Sequence, residues 1–188
     1  SKLSGVDPVL GVDMASTGEA AAFGKNLDEA VTWAMAAVGY PRPRRGILLS
    51  GARGTVNLSL LACARLGHKM GLPLFATPET ARTLRMDGLP VIRVSRRPGR
   101  GTTARDILDE GLVDLVLAFS SQSGDRDTPL RRLSLDTNTP LLTNARLGLA
   151  FLRGLSATLP GFKGPVRAWQ DYTVPRQDPP RTTHEGPH

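Results

Sequence analysis

The chain has 188 residues, enough for one principal core, and 40% of them are hydrophobic, which places it among globular rather than disordered sequences. Its single cysteine, Cys63, lies in an apolar helical pattern and excludes both a disulfide framework and a cysteine-built zinc site. The formal net charge of +7 admits nucleic acid as a partner, but five Phe, two Trp and two Tyr scattered along the chain offer no basic groove interleaved with stacking rings. No apolar run approaches membrane-spanning length, and Ser1–Val6 leads into no sustained apolar segment of the signal-peptide kind. The expected setting is therefore reducing and cytoplasmic, with neither a membrane nor nucleic acid as partner.

In chain order, residues 1–25 carry strand-like and turn-like pieces without an evident partner strand, and read as the end of a preceding domain or a linker. From residue 26 to 174 one unit repeats, a short β-rich apolar run followed by a helical pattern. A first helix runs from Leu27 to Val38 and closes at Gly39. Strands are predicted at Gly46–Ser50, Pro73–Ala76, Pro90–Val94, Asp114–Ala118 and Pro140–Leu142, each too short for a helix and most of them near-continuously apolar. A helix carrying Leu58, Leu61, Ala62 and Leu66 closes at Gly71, and another carries Leu147, Ala150, Phe151, Gly154 and Leu155 at i, i+3, i+4 spacing. Such alternation predicts an α/β fold, a five-stranded parallel sheet with helices on both faces. Residues 175–188, rich in Pro, Arg, Thr and His, lack the apolar content that offsets ordering entropy and read as a mobile tail.

Ligands of open parallel sheets bind beyond the carboxyl ends of the strands. Here those ends run out into Ser50, Thr77, Ser95, Ser120 and Thr143, a hydroxyl on every one. Thr77 stands where an N-cap belongs, Pro78 fills the first helical position and Thr80 falls at the third. A phosphate or carboxylate at this rim could take bonds from both threonines and from first-turn N–H groups, with Arg53 and Arg96 supplying charge. The hydroxyl of Thr77 is expected to cap the helix when no ligand is bound, and Thr80 to be free of that duty. The remaining basic clusters, Arg42-Pro-Arg44-Arg45 and Arg131-Arg132 among them, read as a solvated face or as small-anion ligands. No general base is evident: Asp125 and Asp127 read as a solvated loop, His68 lies mid-helix, and His184 and His188 lie in the tail.

The stretch DPVLGVDMASTGEAAAFGKNLDEAVTWAM, Asp7–Met35, resembles the join between the second ATP-binding half and the carboxyl-terminal domain of the large chain of carbamoyl phosphate synthetase. GILLSG, LFATPETA, DLVLAF, PLRRLSLDTNTPLLTN and GPVRAWQDY resemble that enzyme's allosteric domain, which has the methylglyoxal-synthase-like fold; the likeness extends from about Ser4 to Tyr172. The resemblance implies that Thr77 and Thr80 contact an effector's phosphate or carboxylate, that Arg96 stands in for a basic residue after the third strand, and that Thr143 and Asn144 are the hydroxyl and amide pair after the fifth. The family's lysine after the first strand is replaced by Val56, with Arg53 nearby, and the asparagine ending the fourth strand by Ala118. It implies no cofactor in this domain, ATP and magnesium elsewhere in the parent enzyme, and as partners the rest of the large chain, the glutaminase small chain and a small anionic effector; a homo-oligomer is compatible with it.

Three functional classes compete on this sequence. One is a regulatory domain that binds uridine monophosphate, inosine monophosphate or an acetylglutamate-like molecule. Another is a methylglyoxal synthase, which in the family needs a His-Asp pair after the first strand and a Gly-Gly-Asp loop after the third, where this chain reads Ser50-Gly-Ala-Arg53 and Ser95-Arg-Arg-Pro-Gly-Arg100. The last is a packing module that bridges subunits after its effector site has decayed.

Overall fold

The computed structural model describes residues 20–51, 58–95, 99, 101–119 and 127–158. The expectations for residues 1–19 and for the tail, and those for Arg53, Arg96 and Ser120, fall outside the described residues. Eleven elements alternate along the described chain: α1 (Leu27–Ala37), β1 (Ile47–Gly51), α2 (Leu58–Lys69), β2 (Leu74–Ala76), α3 (Pro78–Met86), β3 (Ile92–Arg93), α4 (Ala104–Asp109), β4 (Leu115–Phe119), α5 (Thr128–Asp136), β5 (Leu141–Leu142) and α6 (Ala145–Ala157). The strands form one parallel sheet in the order β3-β2-β1-β4-β5. Every strand predicted from the apolar runs is present, and short crossovers through helices explain why all run the same way.

Period-two alternation divides the core between the two faces of the sheet. Ile47 and Leu49 of β1 and Leu115 and Leu117 of β4 pack with Cys63 of α2, Leu84 of α3 and Phe151 of α6. Leu48 and Val116 turn the other way, against Ile107 of α4 and Leu130 and Leu133 of α5. The two central strands are thus covered on both sides, and their sequences read as unbroken apolar runs for that reason. At six residues α4 is too short for periodicity to reveal; its start is set by a capping box, with Thr103 Oγ1 accepting from Asp106 N at 3.3 Å and the Asp106 carboxylate accepting from Thr103 N at 2.8 Å.

The fourth strand begins one residue later than its apolar run suggests, because Asp114 is occupied with the amino end of β1. Its carboxylate accepts from the backbone N–H of Arg44 at 2.7 Å, Arg45 at 3.1 Å and Gly46 at 3.4 Å. Arg42 Nη1 donates to Thr158 O at 3.1 Å and Arg45 Nη1 to Gly111 O at 2.9 Å. This basic cluster therefore ties loops together at the amino ends of the strands, opposite the predicted ligand rim.

Gly154 of α6 sits where α1 crosses it, and a Cβ there would run into the Thr32 hydroxyl and the Asp28 carbonyl of α1. Gly154→Ala is expected to cost about 1–3 kcal/mol by overpacking, read as a drop in the urea midpoint at unchanged slope. Burial pushes the Cys63 thiol up to about 12, so folding favours the neutral form. That contribution is intact below the ordinary thiol value of about 8.5 and is lost as pH climbs from there through the folded value. A disulfide reagent at about pH 8 should leave Cys63 unmodified in the native chain and react once it is unfolded in denaturant.

Candidate functional site

The parallel sheet turns from the β1–β2–β3 side to the β4–β5 side at β1, so the crevice at the carboxyl ends of β1 and β4 is the topological switch point of the fold. Ser50 ends the buried part of β1, Thr77 follows β2 directly, and Thr80 lies in the first turn of α3. The structure brings these three hydroxyls together. Ser50 Oγ and Thr77 Oγ1 are 3.0 Å apart, Thr77 Oγ1 donates to Thr80 Oγ1 at 3.1 Å, and Gly51 N donates to Thr80 Oγ1 at 3.0 Å.

At the inner end of this row stands a residue that the sequence reading placed in a solvated loop. Asp127, immediately before α5, is 1% exposed, and its Oδ1 accepts from Ser50 Oγ at 2.7 Å. Arg131, one helical turn further on and 4% exposed, is buried beside it, which overturns the solvated-face alternative of the two readings open for its basic cluster. Neither position carries a local signal for burial, since the partner Ser50 is 77 residues away in sequence. What could have pointed to them is their combination, an acid at a helix start and an arginine one turn later next to the apolar Leu130 and Leu133.

The hydrogens of this row can be counted, because each hydroxyl has one to give. Ser50 gives its hydrogen to the Asp127 carboxylate, the shortest of these contacts and a charge-assisted one. Thr77 has a single hydrogen for two neighbours, Ser50 and Thr80. With that hydrogen given to Thr80, Thr80 accepts from Gly51 N and from Thr77 and has its own O–H left to offer; with it given to Ser50, the O–H of Thr80 turns to Thr77 instead.

The role expected of Thr77 as side-chain cap is not observed. Thr77 occupies the N-cap position of α3, but its hydroxyl makes no capping bond. The Thr77 N–H is held by Leu49 O of β1 at 3.1 Å, and the hydroxyl is drawn to Ser50 and Thr80 instead of to the first-turn N–H groups. Thr80, expected to be without structural duty, anchors the last residue of β1. Asn144 caps α6 through its Oδ1, which accepts from Arg146 N at 2.9 Å and Leu147 N at 3.0 Å, so its amide oxygen is engaged locally. Thr143 lines a cleft of about 440 Å³ with Tyr40 and Asn138, beyond the β5 edge. Ser95 joins Thr103 in an isolated parallel bridge. Among the described residues no group of three or more His, Cys, Asp or Glu could hold a metal ion. His68 lies in the last turn of α2, in a cleft with Pro73 and Leu74 at the amino end of β2, away from this rim.

Two substitutions test the row. Ser50→Ala removes a hydrogen bond to a buried carboxylate and should cost about 1.5–3 kcal/mol in urea unfolding. Thr77→Asn separates a cap from a buried network: asparagine is at least as good an N-cap and would be neutral if capping mattered. The buried position next to Ser50 predicts a lowered urea midpoint instead.

No protein-family profile matches the chain. Individual proteins do. The chain is 35% identical over 160 residues to the multifunctional protein pyrABCN of Emericella nidulans, an alignment covering 78% of this chain and 7% of that protein. It is 31% identical over 158 residues to the mitochondrial carbamoyl-phosphate synthase [ammonia] of Homo sapiens, covering 80% of this chain and 10% of that one. With the carbamoyl phosphate synthase large chain of Lachnoclostridium phytofermentans the identity is 29% over 163 residues, 85% of this chain and 15% of that one. The match thus takes in most of this chain and a small part of each much longer relative. On these grounds, and with the five-stranded parallel sheet that the resemblance implied, the chain is a domain related to the carbamoyl-phosphate synthases.

Proposed function

We propose that this domain is a regulatory module that binds a small anionic effector, a nucleoside monophosphate or an acetylglutamate-like dicarboxylate, at the carboxyl ends of β1 and β2. The observation that carries the reading is the hydroxyl of Thr80. When Thr77 gives its hydrogen to Thr80, Gly51 N and Thr77 fill the lone pairs of Thr80, which would then meet a ligand as a donor from the first turn of α3, where the helix dipole also favours negative charge. Thr77 holds Thr80 in that state, and contacts the ligand only by giving up an internal bond. Arg53, Arg96, Ser120, Thr143 and Asn144 are the further contacts proposed from the family pattern, with Asn144 restricted to its amide NH₂ because its oxygen caps α6.

Catalysis belongs, on this proposal, to other parts of a longer synthase, as do ATP, magnesium and the glutaminase partner. The domain contributes a coupling free energy, typically about 1–3 kcal/mol, between effector binding and the arrangement of its neighbour. One observation favours the packing-module reading instead. Of the described family positions, Thr77, Thr80 and Asn144 all have oxygens engaged in internal bonds, which leaves a ligand few groups to meet there.

Calorimetric titration with uridine monophosphate, inosine monophosphate, acetylglutamate and inorganic phosphate decides between them. At least one should bind, and Thr80→Val should weaken it about tenfold to a hundredfold, the worth of a hydrogen bond to a charged group. Thr80→Ser, which keeps the donor, should restore most of that affinity. Heat signals absent for the whole panel would assign the domain to packing. The chain is also expected to form no methylglyoxal from dihydroxyacetone phosphate, and turnover above background in protein free of contaminating synthase would replace the regulatory reading with the enzymatic one.

A further inference from the structure

The outer edge of the sheet at β3 has features that the effector site does not use. Val94 N bonds inward to Ala76 O at 2.8 Å, so strand alternation turns the N–H and C=O of Val91, Arg93 and Ser95 outward. Two of these residues are covered from within the chain. Arg85 Nη2 donates to Val91 O at 2.9 Å, and Ser95 N donates to Thr102 O at 2.8 Å, with Ser95 and Thr103 forming a parallel bridge. Between them the backbone of Arg93 pairs with nothing among the described residues. The edge already accepts one extended segment, at Ser95, and stops one step short of continuing it.

Beside Arg93 runs a trough of about 530 Å³ lined by Pro78, Ala81, Arg82, Arg85, Met86 and Arg93. Past Arg85 it continues into a second hollow of about 660 Å³ with Leu72 and Leu89 on its wall. Apolar side chains stand open along it: Met86 is 81% exposed and Ile92 51%. Every charged side chain that lines the first hollow is an arginine. Asp87, just past the end of α3, is drawn away to Arg65 at 2.7 Å, and Glu79, in the first turn of α3, does not line the hollow.

From this we infer that the β3 edge and the α3 trough form a docking site for an extended acidic segment of polypeptide, which bridges to the backbone of Arg93 and sets carboxylates against Arg82, Arg85 and Arg93 while apolar residues cover Met86 and Ile92. Charge complementarity selects this occupant. A second copy of the chain pairing edge to edge would bring the same arginines against each other. A nucleic acid would find phosphate partners, but neither hollow is lined by a Phe, Tyr or Trp, and His68 in the second is the one aromatic ring on which a base could stack. An arginine on a short edge strand also guards against sheet aggregation, and that simpler role predicts no ligand at all.

The test uses the full chain and a fluorescent peptide of alternating Glu and Val, long enough to span the trough. Binding should be measurable by anisotropy, should slow amide exchange at Arg93, and should weaken at least about tenfold in Arg82→Glu/Arg93→Glu. Met86→Asp, on the apolar wall, gives an independent loss should the double variant fold poorly. A Lys/Val peptide should not bind. Failure of the Glu/Val peptide to bind, or binding indifferent to these substitutions, would overturn the inference in favour of a guarded edge. Competition by single-stranded RNA for the same site would assign the trough to nucleic acid. A dimer in sedimentation that Ile92→Asp dissolves would assign it to a second copy.

Discussion

The bond from Ser50 to Asp127 holds the carboxyl end of the sheet together. It joins the central strand β1 to the start of α5 on the far side of β4, at 2.7 Å and with both residues buried. A carboxylate removed from water is costly unless it is bonded, so the position of Asp127 constrains the hydroxyl of Ser50, that hydroxyl constrains Thr77, and Thr77 with Gly51 constrains Thr80. The site is therefore built from its floor upward. A ligand of the kind proposed would meet a rim whose side chains are set by a buried acid beneath it.

The two ends of the sheet use the same chemistry for different purposes. At the amino ends the Asp114 carboxylate collects three backbone N–H groups of the loop entering β1, and Arg42 and Arg45 bond backbone carbonyls. These contacts fix loops. At the carboxyl ends the hydroxyl row faces the switch point between the two halves of the sheet, where a ligand can enter. Arginines follow this division: some tie loops, Arg131 is buried beside Asp127, and those of α3 and β3 stand open along the sheet edge. The net charge is thus spread over several unrelated tasks.

The two proposals use two surfaces, one for a small anionic effector and one for an acidic segment. The rim of β1 and β2 and the edge at β3 are separate places on this fold, joined by α3, whose first turn carries Thr80 and whose last turns carry Arg85 and Met86. A nine-residue helix packed against the sheet through Ala81 and Leu84 is a short, stiff link between the two. Any movement of its first turn on ligand binding would be felt at its far end.

The sequence alone determined the order and direction of the elements, because runs of apolar residues and their spacing record burial that each segment experiences along its own length. Ile47–Leu49 and Leu115–Leu117 read as buried strands, and the stripe through Phe151, Gly154 and Leu155 as a packed helix, for that reason, although Leu147 at the start of that stripe is exposed. The hydroxyl at each strand end was equally legible, as was the family to which the quoted motifs belong. What each polar group bonds to was decided only by the tertiary structure. Thr77 at a helix start has the local signature of a cap, yet its hydroxyl makes no capping bond and lies 3.0 Å from that of Ser50, 27 residues earlier. Asp127 in a Gly, Asp and Arg-rich stretch has the local signature of a solvated loop, yet the crossover after β4 carries it beneath β1. A hydrophobic pattern is a property of a segment, whereas a buried hydrogen bond is a property of two segments that the fold alone brings within 3 Å of each other.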